Sequence, residues 1–242
     1  MIRIDHLTKT YGKARGVTDL TLRVPEGGCF GFIGPNGAGK STTIRTLLGL
    51  LSPTAGTAKV LGLDCVRDRE KILAQVGYMP SEAMFYPEMR VSEVIKLSAG
   101  LRKIDCRARA DELCQALELD MGKRIRELSL GNRKKVSIVC AMQHRPRLYI
   151  LDEPTSGLDP LVQRAFWSEL EQRRREGATV FLSSHVLYEV QRYCDRAAII
   201  REGRLVVEGT TAELDIENKF FDYYEGRVLN HIHISEPTRQ GM

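Results

Sequence analysis

The sequence predicts an α/β fold in which a mainly parallel core sheet carries an antiparallel β lobe and an inserted helical lobe. Strand patterns alternate with helical patterns along most of the chain, which is typical of a parallel sheet covered by helices. Two early strands lack an intervening helix, and the region from 91 to 126 has helical spacing with no strand signal. At 242 residues the chain is long enough for one domain with an inserted lobe.

The first half of the chain supplies the antiparallel lobe and the first core strand. Three early strands are predicted from their apolar patterns, "IRIDHL", "VTDLTLRV" and "CFGFI", the last as a central strand. The turn "PEGG" separates the second from the third. A glycine-rich loop leads into the helix "KSTTIRTLLGL", which stops at Pro53, and short strands follow near "TAKVL" and "VGYM".

The second half alternates more regularly. A helix is predicted from Gly131 to Met142 and another from 160 to 175, each followed by a buried strand, "LYIL" and "TVFLS". A helix follows His185, and "RAAII" with "RLVVEG" forms a closing hairpin around Glu202 and Gly203. We expect one domain over 1–224 with the helical lobe at about 82–127, and a peripheral tail over 225–242.

Composition is that of a soluble globular protein, with 43% hydrophobic and 28% charged residues. The amino terminus has no apolar signal core, and no uncharged run has membrane-spanning length. Six cysteines without a CxxC pair predict reduced thiols in a cytosolic protein. The net charge of +5 comes from short basic clusters interleaved with acids, including 133–135 and 173–175, so solvated helix faces are expected and nucleic acid is not.

The stretch "GPNGAGKST" matches the phosphate-binding loop pattern G-x-x-x-x-G-K-[ST] between an apolar strand and a helix. Its glycines allow backbone N–H groups to converge on phosphate oxygens, and the positive end of the following helix favours an anion. Lys40 is placed to reach the β- and γ-phosphates, and the Ser41 hydroxyl to bind Mg²⁺. The predicted nucleotide-binding residues of the loop are Gly34, Asn36, Gly37, Gly39, Lys40, Ser41 and Thr42.

Two acids end the buried strand pattern "LYILDEP". Asp152 at the strand's end would lie beside the loop and hold Mg²⁺, partly through water. Glu153 would point toward the γ-phosphate and accept a proton from attacking water. In isolation an Asp-Glu pair is usually a solvated strand end; together with the loop motif the catalytic interpretation is favoured.

Two further residues are candidates for the same site. His185 follows the strand "TVFLSSH", at the edge where ligands of parallel sheets bind, and would hydrogen-bond the γ-phosphate. Tyr11 in "KTYGK" is a candidate to stack on adenine. A structural histidine and an exposed loop tyrosine are the alternatives.

The order Tyr11, phosphate loop, helical insert, "LSLGN", "LYILDEP", "SGLD" and "SSH" resembles the ATP-binding subunits of ATP-binding-cassette (ABC) transporters over nearly the whole chain. The resemblance is greatest to single-cassette subunits of drug- or bacteriocin-type exporters. It implies an ABC-type P-loop ATPase fold, the cofactors ATP and Mg²⁺, and separate transmembrane permease subunits. It also implies a position on the cytoplasmic face of the cell membrane, held there by that partner.

By this resemblance "LSLGN" is the cassette signature, which acts on a second cassette docked head to tail. Ser129 and Gly131 would contact ATP held by the other subunit's loop, and Asp159 in "SGLD" would lie at the dimer seam. An ordinary helix N-cap by Ser129 is the alternative for this turn read alone. Whether the second cassette is identical or different, which cargo moves and in which direction are left open by the motifs.

The sequence departs from the family pattern in two motifs, at three positions. The signature has Leu130 and Asn132 where glycine and glutamine are commonest, and Ser81 stands where the loop after "GYMP" normally supplies a glutamine to Mg²⁺ or water. Ser81 is therefore an additional metal candidate, through water, and Glu82 is the alternative to it. Two other functions stay open: a soluble single-cassette ATPase that drives assembly of a non-transport complex, and a nucleotide-binding switch without hydrolysis.

Overall fold

The computed structural model describes residues 1–12 and 14–225, and the predicted tail from 226 onward lies outside them. Its strands are β1 (Ile2–Tyr11), β2 (Ala14–Val24), β3 (Gly28–Ile33), β4 (Ala55–Val60), β5 (Leu63–Asp64), β6 (Val76–Met79), β7 (Leu148–Asp152), β8 (Thr179–Ser184), β9 (Arg196–Arg201) and β10 (Arg204–Thr210). Its helices are α1 (Lys40–Leu47), α2 (Arg69–Gln75), α3 (Val91–Leu101), α4 (Arg107–Ala116), α5 (Leu130–Met142), α6 (Pro160–Arg175), α7 (Leu187–Tyr193), α8 (Thr211–Leu214) and α9 (Ile216–Glu225), with a 3₁₀ turn at Ile125–Glu127.

The strands form two sheets, as the sequence predicts. Among the described residues, six strands build the core sheet in the order β10-β9-β3-β8-β7-β6. All neighbours in it are parallel except the terminal β9–β10 hairpin. In the same part of the chain, four antiparallel strands form the lobe β2-β1-β4-β5. β3 is therefore interior to the core sheet, which confirms its prediction as a central strand.

Both faces of the core sheet are buried, because successive side chains of a strand point to opposite faces. In β7, Leu148 and Ile150 join the core beneath the antiparallel lobe and α1. Tyr149 and Leu151 join the opposite core, formed with α5, α6 and the helical lobe. Continuous apolar runs such as "LYIL" thus reflect a strand covered on both sides.

Several elements differ from the prediction. Residues 82–90, the first part of the predicted helical lobe, are irregular, so its first helix is α3, and the lobe contains an isolated bridge between Arg90 and Arg124. β5 and helices α2, α8 and α9 lie outside the predicted elements. The first three are short, whereas in α9 the buried or half-buried Ile216, Phe220 and Tyr223 recur at helical spacing. The expectation of solvated basic clusters is wrong at three positions, since Lys134, Lys135 and Arg173 are buried. No described helix has the length and hydropathy of a membrane span.

The six cysteines, all within the described residues, are free thiols, as predicted. Five of them are buried, and the Sγ atoms of Cys29 and Cys194 lie 3.2 Å apart between the start of β3 and the start of β9. Burial and the neighbouring Cys29 thiol raise the pKa of Cys194 well above its usual value. These thiols therefore act as small apolar packing groups.

The core packing predicts a clear contrast between two leucine-to-alanine changes on helices. Leu47 on α1 is fully buried and Leu101 on α3 is 76% exposed. We expect Leu47→Ala to lower the free energy of unfolding by about 2–5 kcal/mol, because it removes buried contacts and leaves a cavity. Leu101→Ala, the control, should change it by less than about 0.5 kcal/mol. Urea unfolding with unchanged m-values measures both, and equal effects would contradict the assigned core.

Candidate active site

The loop Gly34–Thr42 leaves the central strand β3 and opens α1. Gly39 caps the helix with φ 108°, a left-handed conformation that side-chain-bearing residues rarely adopt. No side chain caps the start of α1 among the described residues, so its first N–H groups and its positive end are left for an anion. Asn36 and Gly37 are exposed on the loop, and Ser41 and Thr42 are half-buried in the first turn of α1.

Backbone hydrogen bonds fix this loop against two distant segments. The Ala38 N–H donates to the Pro35 carbonyl at 3.1 Å, which closes the loop on itself. The Gly203 N–H, in the β9–β10 turn, donates to the Ala38 carbonyl at 2.9 Å, and Thr18 N–H of β2 donates to the Gly203 carbonyl at 2.8 Å. The loop is thereby held between the core sheet and the antiparallel lobe that carries Tyr11.

Lys40 lies inside the loop with 6% of its surface exposed. Its Nζ donates to the Gly34 carbonyl at 2.6 Å and to the Pro35 carbonyl at 3.3 Å. The same atom lies 3.3 Å from Oε1 of Glu153. A buried ammonium is thus balanced by one carboxylate and two carbonyl oxygens, in the position expected of a phosphate-binding lysine.

Asp152 and Glu153 leave the carboxyl end of β7, next to β8. Asp152 is buried and accepts a hydrogen bond from the Ser183 hydroxyl. Glu153 has φ 51°, a left-handed conformation that is costly for a residue with a side chain, and its N–H donates to the Ser183 carbonyl at 3.1 Å. The adjacent carboxylates of Asp152 and Glu153 therefore have different partners, Ser183 for the first and His185 for the second.

The Glu153 carboxylate connects the strand ends. Its Oε2 lies 2.6 Å from Nδ1 of His185, which follows β8. Its Oε1 is buried and accepts no hydrogen bond from any described residue, although Lys40 lies nearby. A buried carboxylate oxygen with a free acceptor position is suited to take a proton from a water molecule.

The site also fits a magnesium ion with few protein ligands. Asp152 provides a carboxylate at the end of β7, and α1, which carries the Ser41 hydroxyl, packs against that strand. Mg²⁺ is commonly held by one or two such oxygens together with water and phosphate. Ser81, the additional candidate, follows β6 and is half-buried; its carbonyl accepts a hydrogen bond from Lys134 at 3.1 Å.

The remaining predicted residues lie on exposed turns. Tyr11 ends β1 with 42% of its surface exposed, and the Lys9 ammonium lies 5.4 Å from its ring centre. Ser129 caps α5 by accepting from Asn132 N–H at 3.3 Å, and Asp159 caps α6 by accepting from Leu161 and Val162 N–H. Both side chains thus have a local capping role.

Gly131 lies against the turn that Asp159 follows. A Cβ added at Gly131 would stand 3.0 Å from the Gly157 carbonyl oxygen. The turn "LSLGN" and the turn "SGLD" are therefore neighbours on one surface.

Sequence reasoning missed three polar groups at this site: Ser183, Glu189 and Lys134. Ser183 was quoted in "SSH" without a role. Glu189 is buried on α7, and its Oε2 accepts from the Ser184 hydroxyl at 3.4 Å. The basic cluster 133–135 predicts a solvated face for Lys134, although Lys134 precedes buried Ile138 by four residues and so shares its helix face. The spacing of four residues between Lys134 and Ile138 was the sequence feature that could have predicted the burial of Lys134.

Comparisons with known proteins identify the family and agree with the fold. A family model described as "ABC transporter" matches residues 17–156, and a model of an AAA domain matches 123–190. A solved structure described as the ATP-binding subunit of an ABC transporter superposes with a TM-score of 0.85 at 31% identity, covering 93% of this chain and 98% of that one.

Two curated relatives are similar over most of the chain. The probable multidrug ABC transporter ATP-binding protein YbhF of Escherichia coli is 34% identical over 223 residues, covering 90% of this chain and 38% of the relative. The bacitracin transport ATP-binding protein BcrA of Bacillus licheniformis is 36% identical over 214 residues, covering 86% of this chain and 69% of the relative. The chain thus spans well under half the length of the first and about two thirds of the second.

Glu189 gives the site a testable pH dependence. Burial raises its pKa, a nearby Glu153 charge acts in the same direction, and hydrogen bonds from Thr155 and Ser184 and the charge of His185 oppose the rise. A carboxyl whose pKa is raised on folding stabilises the fold below its unfolded pKa, and this contribution is lost as pH rises through its folded pKa.

We therefore expect Glu189→Gln, which keeps the acceptor oxygen and cannot ionise, to be more stable than the wild type at pH 8. The difference should shrink toward pH 4, where both side chains are neutral. Urea unfolding at the two pH values measures it. Glu70→Gln on the exposed start of α2 is the control. A Glu189→Gln difference that does not depend on pH would contradict the buried, pKa-shifted carboxyl.

Proposed function

The chain belongs to the ABC transporter family of ATP-binding proteins, and on this premise we propose that it binds and hydrolyses ATP to drive separate membrane-spanning subunits. Residues 1–224 form the ATPase unit in this proposal, with the helical lobe at about 82–127 inserted in it. The observation that carries the proposal is the Glu153 carboxylate, 2.6 Å from His185 Nδ1 and 3.3 Å from Lys40 Nζ.

Each of these three groups has a distinct role in hydrolysis. Glu153 is the general base, since its Oε1 has a free acceptor position for attacking water; such help is typically worth 10²–10⁴ in rate. Lys40 holds the β- and γ-phosphates, together with the N–H groups at the start of α1. His185 fixes the orientation of the Glu153 carboxylate and is placed to contact the γ-phosphate.

The cofactors in this proposal are ATP and Mg²⁺. Ser41 and Asp152 would hold Mg²⁺, with Ser81 as an additional candidate, and the ion would neutralise charge on the phosphates. Tyr11 is the candidate to stack on adenine; its half-exposed ring on the antiparallel lobe supports this role.

A second ATP-binding cassette, a copy of this chain or a related one, would complete the site. Ser129 and Gly131 would contact ATP bound by the partner, and Asp159 would lie at the seam. Exposed Leu130 and Leu161, 65% and 78% accessible, flank these turns and supply apolar surface for such a contact.

The membrane-spanning partner would bind the helical lobe. Leu97, Leu101 and Ile104 of that lobe are large apolar side chains that are 46%, 76% and 46% exposed. The names of the relatives, one for multidrug and one for bacitracin transport, support an exporter. The protein would then sit on the cytoplasmic face of the membrane through this partner.

The first test is Glu153→Gln, which keeps the size of the side chain and removes its basicity. We expect the ATPase rate to fall by at least about 10²-fold, with ATP affinity changed less than about threefold. Phosphate release and nucleotide binding measure the two quantities. Glu70→Gln is the matched control. A wild type that binds ATP and releases no phosphate with its partner present would support the nucleotide switch instead.

The second test is purification of the tagged protein from its own cells in mild detergent. We expect a polytopic membrane protein to co-purify in stoichiometric amount, because apolar side chains on the helical lobe need a partner surface. Leu101→Asp on that lobe should reduce its recovery at least about tenfold while the ATP affinity stays unchanged. Recovery with soluble assembly factors alone would favour the assembly ATPase.

A further inference from the structure

Lys134 contacts two segments of the active site from within its own subunit. It lies on α5 with 3% of its surface exposed. Its Nζ donates to the Glu153 carbonyl at 2.5 Å and to the Ser81 carbonyl at 3.1 Å. One ammonium thus joins the helix of the "LSLGN" turn, the loop after β6 and the strand end that bears the general base.

The two acceptors explain why a charged side chain is buried here. Burial lowers the pKa of Lys134, while the charges of Glu153 and Asp152 oppose that change. The Glu153 carbonyl also accepts from Ser156 N–H at 3.4 Å, within a turn whose first residue has φ 51°. The ammonium therefore holds the carbonyl of a residue whose backbone is otherwise unfavourable.

The same helix has its first turn on the surface. Ser129 and Leu130 are exposed at the start of α5, and Lys134 lies five residues after Ser129. A helix transmits a displacement of one end to the other within this distance, because its backbone bonds make it rigid. Lys134 therefore provides a direct contact between the helix that begins at the exposed turn and the carbonyl of Glu153.

We propose that Lys134 is a positioning residue that couples the two ATP sites of the dimer. It links the turn that contacts the partner's ATP to the general base of its own site. The inference rests on the head-to-tail dimer under Proposed function. When the partner's ATP is bound by Ser129 and Gly131, α5 is fixed, and Lys134 holds Glu153 in position for attack at the second site.

The test compares Lys134→Met with Lys134→Arg, which retains charge and donors, and with Lys96→Met at an exposed position of α3. We expect Lys134→Met to lower kcat about 10- to 100-fold, with the KM for ATP changed less than about threefold. The Hill coefficient for ATP should fall from above one to one. Lys134→Arg should recover part of the lost kcat and part of the lost Hill coefficient. Lys96→Met should have the kcat and the Hill coefficient of the wild type.

A second measurement does not depend on activity. Amide hydrogen exchange at Ser156, whose N–H bonds the Glu153 carbonyl, should be at least about tenfold faster in Lys134→Met than in Lys96→Met.

Three results would overturn the coupling: a wild-type Hill coefficient of one, an unchanged Hill coefficient in Lys134→Met, or equal exchange in the two variants. A wild type that hydrolyses no ATP would instead refute the proposed function, and the exchange result would still decide whether Lys134 positions Glu153.

Discussion

Parallel pairing of β3, β8 and β7 is the constraint on which the site depends. Because neighbouring strands run in one direction, the segments that leave their carboxyl ends emerge at one edge of the sheet. Lys40, His185 and Glu153 follow these three strands and meet there, although more than a hundred residues separate the first from the others. The burial of both faces of the sheet fixes the register that brings their side chains within hydrogen-bonding range.

Charge balance then decides what surrounds the carboxylates. The site places Lys40 and Lys134 in buried positions beside Asp152 and Glu153, and backbone carbonyls take up the remaining ammonium protons. An isolated buried charge would be costly, so each of these groups requires the others. Asp152 accepts a hydrogen bond from Ser183 and Oε2 of Glu153 lies beside His185, while Oε1 of Glu153 keeps a free acceptor position.

The parts of the fold and of the site that the sequence predicts are those encoded by a few consecutive residues. "GPNGAGKST" encodes a glycine-rich turn between β3 and α1, and "LYILDEP" encodes a buried strand end. The burial of Lys134 is hard to predict because a basic cluster is normally solvated. Only its spacing of four residues from buried Ile138 on the same helix indicates that it faces the core. β5 and α8 have little local signal because such short elements are stabilised by tertiary contacts, whereas the helical spacing of Ile216, Phe220 and Tyr223 was an available signal for α9. The hydrogen bond between Glu153 and His185 requires β7 and β8 to be neighbours in the sheet, and the hydrophobic periodicity of the sequence does not determine the order of the strands.

The β9–β10 turn has a consequence for how the protein is made. Gly203 bonds the phosphate loop and β2 at once, and a Cβ there would stand 2.4 Å from the Gly16 carbonyl oxygen. During synthesis the phosphate motif leaves the ribosome long before this turn does. A nascent chain that contains the whole loop Gly34–Thr42 still lacks the backbone hydrogen bond from Gly203 to Ala38. The contact that holds the loop in place is therefore formed only after residue 203 has been synthesised, when most of the 242 residues are already in the chain.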